Sequence, residues 1–264
     1  MEKYIHENMK KFLTEGKKYS ITNETMTLEN GTVLHRIKAE KDIPFDRVHK
    51  IFRARKGDFG GWIESEENLP QDGLCWVKGD AKVYGNATVC GDAQIADNVE
   101  VFDNAVVSEG VFIYHNAKIF NNAKVSCDII KNDVKIYENA VVTGGFFYKN
   151  VQVYGNAKIE HGDFSGNAKI YDNAYICGRN VGVNGNVQIF ENAKITGNTV
   201  LLGNVKVCGD AQIATSTTVF FDDKVMDHGI IDNKYIYSES QKPKDNQKAI
   251  KEYFESGLDE EKIL

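Results

Sequence analysis

The amino-acid sequence predicts an all-β protein whose centre is a single-stranded parallel β-helix of about nine triangular coils. Two observations lead to this prediction. A short unit, Asn-Ala-Lys-(Ile/Val)-x in the stretch "NAKIFNNAKVS" at 116–126, recurs until about residue 225, and its copies are evenly spaced. Repetition at a constant period is typical of solenoids, in which each repeat packs only against its neighbours. The repeats therefore have to be aligned before strands are assigned.

The repeats align in nine lines that each begin at an Asn or Asp, and we number these lines as coils. Eight complete coils contain 17 to 19 residues, and the ninth is degenerate. Within a coil, a six-residue unit occurs twice with high fidelity and a third time more loosely. The coils begin at residues 80, 98, 116, 133, 150, 167, 186, 204 and 222.

Small and β-branched residues occupy two positions of each unit. The second position of a coil is Ala or Val, as at Ala81 and Val99, and the fourth is Val or Ile from Val83 to Val225. Because side chains alternate along a strand, these two positions lie on one side and the third and fifth on the other. Three such strands per coil, each with an apolar inner side, predict a triangular prism about 40 Å long.

The residues between units favour turns. A Gly, Asp, Asn or Glu is followed by Asn or Asp, and these residue types tolerate a left-handed backbone and bond their own backbone. Asn side chains stacked at a corner can also hydrogen-bond along the prism axis, as they do in cross-β stacks. The Asn columns are thus explained by structure alone.

Both ends of such a prism need a cap, because exposed strand edges promote aggregation. Alternating runs around Asn30-Gly31 predict a hairpin at 17–40. With "FGGWIESEENL" it would form a small β cap, in which Gly60-Gly61 make a tight turn that presents Trp62. Near the other end, apolar residues around Tyr253 have helical spacing. We expect an N-terminal helix and β-hairpin cap at 1–79, the β-helix at 80–237 and a C-terminal helical segment at 238–264.

Composition excludes several classes of protein. A net charge of −6 and a pI near 5.6 argue against coating long nucleic acid. Five widely spaced cysteines lack metal-ligand spacing, which predicts reduced thiols, no metal site and a cytoplasmic location. No apolar run approaches the roughly 18 residues of a membrane span, and the N-terminus does not have the pattern of a signal peptide.

The aligned units resemble those of the hexapeptide-repeat proteins, over about residues 80–225. Upstream, "KGDFGGWIESEENL" followed by "CWVKGDAKVYGNA" is similar to the YdcK-like branch of that group, often described as putative acyltransferases. The resemblance implies a left-handed β-helix and a homo-oligomer, a trimer above all. Handedness follows from the resemblance alone.

The outer side of the first strand column is the first candidate site. Its fifth positions form an aromatic column, and lysines recur at its third positions. A base could stack on the rings while lysines meet its phosphates; the alternatives are packing within the sheet or burial between subunits. The residues that we selected here are Lys118, Lys135, Lys169, Tyr137, Tyr154 and Tyr171.

The third strand column is the second candidate, because several of its apolar residues are expected to point outward. Such a strip on a protein surface usually marks a partner interface, here between copies of the chain, and ligand grooves favour interfaces. Its residues are Phe112, Tyr114, Ile130, Phe147, Phe164, Val200, Leu202 and Phe220.

A basic segment, "RVHKIFRARKG", is the third candidate. It concentrates five positive charges at 47–56 in an acidic protein, and Arg forks suit phosphate oxygens. We selected Arg53, Arg55 and Lys56 as ligand-binding residues, together with Trp62. The alternatives are a solvated loop and, for Trp62, an aromatic plug at the end of the prism.

Catalytic residues are harder to find. Acyl transfer benefits from a general base, most often His. His115 and His161 are the candidates within the coils, but they fall at different corners without an evident carboxylate partner, and no inserted loop interrupts the coils. We therefore predict no catalytic residue, and His115 and His161 only if the protein is a transferase.

Three functions remain open. The first is non-catalytic binding, or sequestration, of a small anionic nucleotide-like ligand without a cofactor, as in some phage counter-defence proteins. The second is an acyl-CoA-dependent transferase with the cofactor between prisms, and the third is a structural scaffold.

Overall fold

The computed structural model describes residues 16–46, 51–178, 180–213, 217–221, 225–231 and 235–237. This part of the chain is almost entirely β, and its strands stack in parallel as a β-solenoid of about eight turns. The predicted fold class is thus confirmed, and the number of turns is close to the nine coils expected. The predicted N-terminal and C-terminal helices lie outside the described residues. No helix in the described ranges has the length and apolar character that crossing a membrane requires.

Each coil contributes one short strand to each of three sheets, which we call the first, second and third faces. The strands of the first face are Lys82–Val83, Glu100–Val101, Lys118–Ile119, Lys135–Ile136, Gln152–Val153, Lys169–Ile170, Gln188–Ile189, Lys206–Val207 and Val225–Met226. Those of the second face are Thr88–Val89, Val106–Val107, Lys124–Val125, Val141–Val142, Lys158–Ile159, Tyr175–Ile176, Lys194–Ile195, Gln212–Ile213 and Ile230–Ile231. Those of the third face are Trp76–Val77, Gln94–Ile95, Phe112–Ile113, Ile129–Ile130, Phe146–Phe147, Asp163–Phe164, Gly182–Gly185, Thr199–Gly203, Thr217–Phe221 and Tyr235–Tyr237.

The core is formed by the two columns that the repeat predicts. Ala81 and Val83, and their counterparts in the following coils, are fully buried, whereas the residue between them faces outward. Parallel pairing in register places each inward residue over its equivalent in the next coil. The stacked β-branched side chains therefore fill the prism as continuous apolar columns.

The corners depend on residues with a left-handed backbone. Asp103, Asn121 and Glu138 occupy one corner in successive coils, with φ of 60°, 55° and 57°. The side-chain oxygen of each accepts the backbone N–H of the equivalent residue one coil further on. This bond satisfies an N–H that the strands leave unpaired, which explains why Asp, Asn and Glu share these positions.

The third face departs from the predicted alternation. Phe112, Tyr114, Val200 and Leu202 face outward as expected, but Ile130, Phe147 and Phe164 are fully buried. The neighbours Ile129, Phe146 and Tyr148 are the half-exposed ones. Coils 3 to 5 have only 17 residues, because the segment between their second and third strands is one residue shorter than in coil 2. The inward position therefore shifts by one residue, and in coil 4 Phe147 rather than Phe146 points into the core. The side chain of Phe220 lies outside the description.

The N-terminal cap continues the first face. Its strands are β1 (Tyr19–Thr27), β2 (Val33–Ala39), β3 (Ile43–Asp46), β4 (Ile51–Ala54) and β5 (Phe59–Ile63). The predicted hairpin is present, since β1 and β2 pair antiparallel on either side of Asn30-Gly31. Strand β5 pairs with β2 and then, in parallel, with Lys82–Val83 of coil 1. The cap thereby covers the edge that the first face would otherwise expose.

The expected tight turn at Gly60-Gly61 is wrong, because both glycines lie inside β5. A Cβ on Gly60 would lie 2.5 Å from Ile37 and 2.8 Å from the ring of Trp76, and one on Gly61 would lie 2.5 Å from the Ala81 carbonyl oxygen. The glycines are therefore needed for close packing of β5 on the first coil. Trp76, edge-on to Tyr19, belongs to the buried core at this end of the prism.

One Asn closes the corner between the first and second faces. After β5 a short 3-10 helix, Glu66–Asn68, places the Asn68 amide group over coil 1. Asn68 donates to the carbonyls of Gly85 and Ala87 and accepts the N–H groups of Glu64 and Ser65. Asn68 therefore provides hydrogen-bond partners for backbone groups at the start of the solenoid, where no earlier coil is stacked on coil 1.

Candidate functional site

The outward residues of the first face form one straight column. Register pairs Lys118 with Lys135, Lys135 with Gln152 and Gln152 with Lys169, and the column continues through Gln188 to Lys206. Glu100, one coil before Lys118, forms ion pairs with Lys82 at 3.5 Å and with Lys118 at 3.3 Å. Lys135 and Lys169 are exposed, and neither ammonium has an ion-pair partner within the described part of the chain.

An unbroken aromatic ladder runs beside this column. Successive ring centroids are 4.9 to 5.1 Å apart and neighbouring planes are tilted by 2° to 8°. Both faces of each internal ring are therefore covered, and only ring edges and hydroxyls remain for a ligand. Stacking of a base onto the internal rings, as the sequence suggested, has no room. The ladder consists of Tyr84, Phe102, Phe120, Tyr137, Tyr154, Tyr171 and Phe190.

Three consecutive internal rings of the ladder carry hydroxyl groups that can act as donors. Burial raises the pKa of Tyr137, Tyr154 and Tyr171, and the neighbouring phenols and carboxylates raise it further. All three phenols are therefore protonated near neutral pH and can donate a hydrogen bond to an anion. Together with Lys135, Gln152 and Lys169, they form a surface that we call the first-face strip.

The corner between the first and second faces contains a polar groove of about 590 Å³. Asp103 and Glu138 line it, together with the stacked side chains of Asn86, Asn104 and Asn122. The carboxylates make this groove unfavourable for an anion. The first-face strip lies on the flat of the sheet beside it, so an anion would bind on the side of the strip away from this corner.

Of the basic segment at 47–56, the described residues Arg53, Arg55 and Lys56 have different surroundings, and Arg47 and Lys50 lie outside the description. Arg53 turns toward the solenoid, where its guanidinium donates to the carbonyls of Leu74, at 3.2 Å, and Asp92. Burial lowers the pKa of Arg53, while the nearby Asp92 opposes this shift. Arg55 and Lys56 are exposed in the turn after β4. Their backbone N–H groups donate to Asp58 and Asp42, so acidic residues accompany this turn.

Trp62 is not available as an exposed platform. It lies on the outer row of the first face, in register with Arg36 and Lys82, but only 5% of it is exposed. The Arg36 guanidinium lies 5.3 Å from its ring and 5.6 Å from that of Phe59.

The structure thus separates the predicted ligand-binding residues into two groups. Lys118, Lys135, Lys169 and the three tyrosines share the first face, and the others belong to the cap.

The two coil histidines have structural surroundings. His115 adopts a left-handed backbone with φ of 66°, and its Nδ1 accepts the backbone N–H of Asn132 at 3.3 Å. It therefore takes the acceptor role that Asp or Asn has in other coils. His161 lies at another corner, where its ring packs so closely on Gly144 that a Cβ would not fit.

A cluster on the second face was missed in the sequence. Glu160 accepts hydrogen bonds from the Tyr175 hydroxyl and the Cys177 thiol, each at 2.8 Å. The hydrogen bond to Glu160 is the largest cause of the raised pKa of Cys177, so the carboxylate keeps the thiol protonated and less reactive. Aligning coils 5 and 6 by column would have revealed the cluster, because Glu160 and Cys177 occupy the same position.

Among the described residues, no group of three or more His, Cys, Asp or Glu side chains is arranged to hold a metal ion. Neither the models of known protein families nor the curated proteins include a match to this chain.

Proposed function

We propose that this protein binds a small anionic ligand on the first-face strip without converting it. One observation carries the proposal. Two exposed ammonium groups, those of Lys135 and Lys169, have no ion-pair partner among the residues that the structure describes, and they stand two coils apart beside three protonated phenols. Ammonium and hydroxyl donors on a fixed lattice favour phosphate, sulfate or carboxylate oxygens. No carboxylate interrupts the outward column between Lys118 and Lys206.

Two nearby carboxylates limit where the ligand can bind. Glu138 and Asp172 follow the rings of Tyr137 and Tyr171 at the corner, and each accepts a backbone N–H of the next coil. Their carboxylates repel an anion from that side. Each ammonium contact at this exposed surface contributes about 0.2–1 kcal/mol, and salt screens it further. We therefore expect moderate affinity that decreases as the salt concentration rises.

The ligand class that we propose is nucleotide-like, with the phosphates as the recognised part. Internal rings cannot accept a base between them, so the lysines and phenol hydroxyls would provide the contacts. Retention of such a ligand without chemistry is sequestration. A phage counter-defence role is one biological setting in which sequestration of a signalling nucleotide would be useful.

The positions of the histidines support binding rather than catalysis. His115 already uses Nδ1 as an acceptor for its own corner, and His161 packs on the backbone of Gly144. Hexapeptide-repeat membership is supported by the parallel solenoid. The YdcK-like branch, and the acyl-CoA-dependent transfer it implies, rests on the cap motif alone.

We further propose that copies of the chain associate through the third face, as a trimer. Its outward residues Phe112, Ile129 and Phe146 form an apolar row in adjacent coils. Tyr114 and Tyr148 extend it toward the next corner. An apolar row of this length in an outward position favours a protein partner.

Calorimetric titration of ATP and cyclic dinucleotides tests the binding proposal. We expect Lys169→Gln to weaken nucleotide binding by about fivefold at low salt, because one charge-assisted contact is lost. Lys158→Gln is the matched control, since Lys158 is an exposed lysine at the equivalent position of the second face. Mass spectrometry after denaturation should return the nucleotide intact.

Equal losses in both variants would show that only net charge matters and would refute the site. Release of free CoA from acetyl-CoA, abolished by His115→Ala or His161→Ala, would favour the transferase instead. If no nucleotide binds, a structural scaffold is the function that remains.

A further inference from the structure

Lysine and glutamine alternate along one part of the outward column of the first face. In coils 4 to 8 the order is Lys135, Gln152, Lys169, Gln188, Lys206, and register pairing places them in one line. Adjacent coils are one strand spacing apart, and the ladder rings beside them repeat at 4.9 Å. The ammonium groups therefore repeat at about 10 Å along the prism, with an amide midway between them.

A comparison with the second face distinguishes charge repulsion from ligand binding as the explanation for this pattern. Its lysines, Lys124, Lys158 and Lys194, also recur every second coil, which reduces repulsion between stacked ammonium groups. The residues between them are Val141 and Tyr175, and no aromatic ladder accompanies them. Charge repulsion thus accounts for lysine spacing on both faces. It does not account for the aromatic ladder, or for glutamine at both positions between successive lysines, which are features of the first face; on the second face a glutamine, Gln212, occurs only after the last of these lysines.

We infer that the column from Lys135 to Lys206 is a docking surface for an extended linear acidic glycan with one carboxylate per disaccharide. An extended β-linked pyranose chain advances by about one strand spacing per sugar. Consecutive sugars would then meet consecutive coils. Each uronate carboxylate would face a lysine, and each neutral sugar would face a glutamine amide, which can donate to and accept from hydroxyl or acetamido groups.

The ladder contributes an apolar edge and a row of hydroxyls along the same line. Tyr137, Tyr154 and Tyr171 present ring edges and protonated hydroxyls at the spacing of the sugars. Because their faces are covered, they suit a ligand that runs along the ladder rather than one that stacks on it. Single-stranded nucleic acid fits less well, since it carries a phosphate on every unit where the protein offers a lysine on every second coil.

The inference rests on the proposed function in one respect, namely that the first-face strip binds anions. It extends that strip to Gln188 and Lys206, which a small ligand at Lys135 and Lys169 does not reach. The two ideas can therefore fail separately. Lys206 lies two coils beyond Lys169 and is exposed.

The experiment compares hyaluronan oligosaccharides, in which uronate and N-acetylated sugars alternate, with ATP as the small ligand. Titration calorimetry of the full chain should show the hexasaccharide, which carries three uronates, binding at least tenfold more tightly than the disaccharide. Lys206→Gln should weaken hexasaccharide binding about fivefold at low salt and leave ATP binding unchanged. Gln152→Leu should weaken hexasaccharide binding although it leaves the charge of the protein unchanged. Lys158→Gln on the second face is the control and should change neither.

Three outcomes would overturn the inference. The hexasaccharide fails to bind, or polygalacturonate and oligo-dT bind as well as it does, or Lys158→Gln costs as much as Lys206→Gln. If ATP binds in a Lys169-dependent way while the hexasaccharide does not, only the glycan inference fails. If neither ligand binds, the proposed function fails with it.

Discussion

At the scale of single residues, the corner positions show how one requirement can be met by several side chains. The backbone is left-handed there, and the side chain must accept an N–H from the next coil. Asp97 meets the requirement with a carboxylate, His115 with Nδ1 and Asn132 with an amide oxygen. A histidine in a repeat is thus explained without catalysis.

We expect His115→Asn to leave the protein at least as stable. Asn tolerates a left-handed backbone better than other residues that have a Cβ, and its oxygen replaces Nδ1 as the acceptor. Thermal unfolding measures the effect, with His115→Val as the contrast, because a β-branched residue without an acceptor should cost about 1–3 kcal/mol there. If His115 were instead a catalytic base, the Asn variant would lose a transferase activity while retaining its stability.

At the scale of elements, the Asn ladders bind successive coils together along two corners. From Asn86 to Asn192 each Nδ2 donates to the Oδ1 of the next coil at 2.9 to 3.2 Å. The ladder at the corner between the third and first faces begins at Asn98 and is interrupted after Asp133. A carboxylate has no N–H to donate to Asn150, where the ladder resumes.

We predict that Asp133→Asn stabilises the solenoid by about 0.5–1.5 kcal/mol, because the new amide would donate to Asn150. The expected magnitude is at the lower end, since both side chains are exposed. The midpoint of urea unfolding is the measurement. Asn167→Asp is the matched control: it removes the donor to Asn186, so its midpoint should fall. A midpoint that is unchanged in both variants would show that the ladders contribute no net stability.

At the scale of the whole molecule, the third face is where assembly is expected. Its outward residues in coils 2 to 4 are apolar, and Gln94 and Asp163 bound this row in coils 1 and 5, whereas Lys118 and Lys124 occupy the equivalent position of coil 3 on the other two faces. Burial of this row between copies would remove apolar area from water while both lysine-bearing faces stay accessible. The proposed binding surface and the proposed interface therefore do not compete.

Phe146→Asp should convert the assembly to monomers without unfolding the chain, because Phe146 points outward. Native mass spectrometry gives the subunit number, and circular dichroism reports the fold. Val106→Asp, at a half-exposed outward position of the second face, should keep the oligomer intact. Phe147→Asp, one residue further along, should unfold the coil, because Phe147 is fully buried against Phe164. A wild-type monomer would contradict the prediction.

The sequence by itself determined the repeating part of this protein. A fixed period, inward β-branched columns, turn residues at the corners and Asn ladders all follow from local alternation and residue type. For the same reason, the shared location of Lys135, Lys169, Tyr137, Tyr154 and Tyr171 could be predicted: each occupies the same position of its own coil.

Only the tertiary structure decided features that depend on contacts between coils or between cap and coils. The corner before the third strand of coil 4 is one residue shorter, and this decides that Phe147 is buried and Phe146 is not. The alternation of residues within the strand does not reveal this. Ring stacking closed the ladder to bases because the strand spacing brings each ring against the next. Arg53, which the sequence predicted as a phosphate ligand, donates to the backbone carbonyls of Leu74 and Asp92. The physical reason is common to all three: a side chain's role depends on which groups the fold places within reach, and those groups are distant in the sequence.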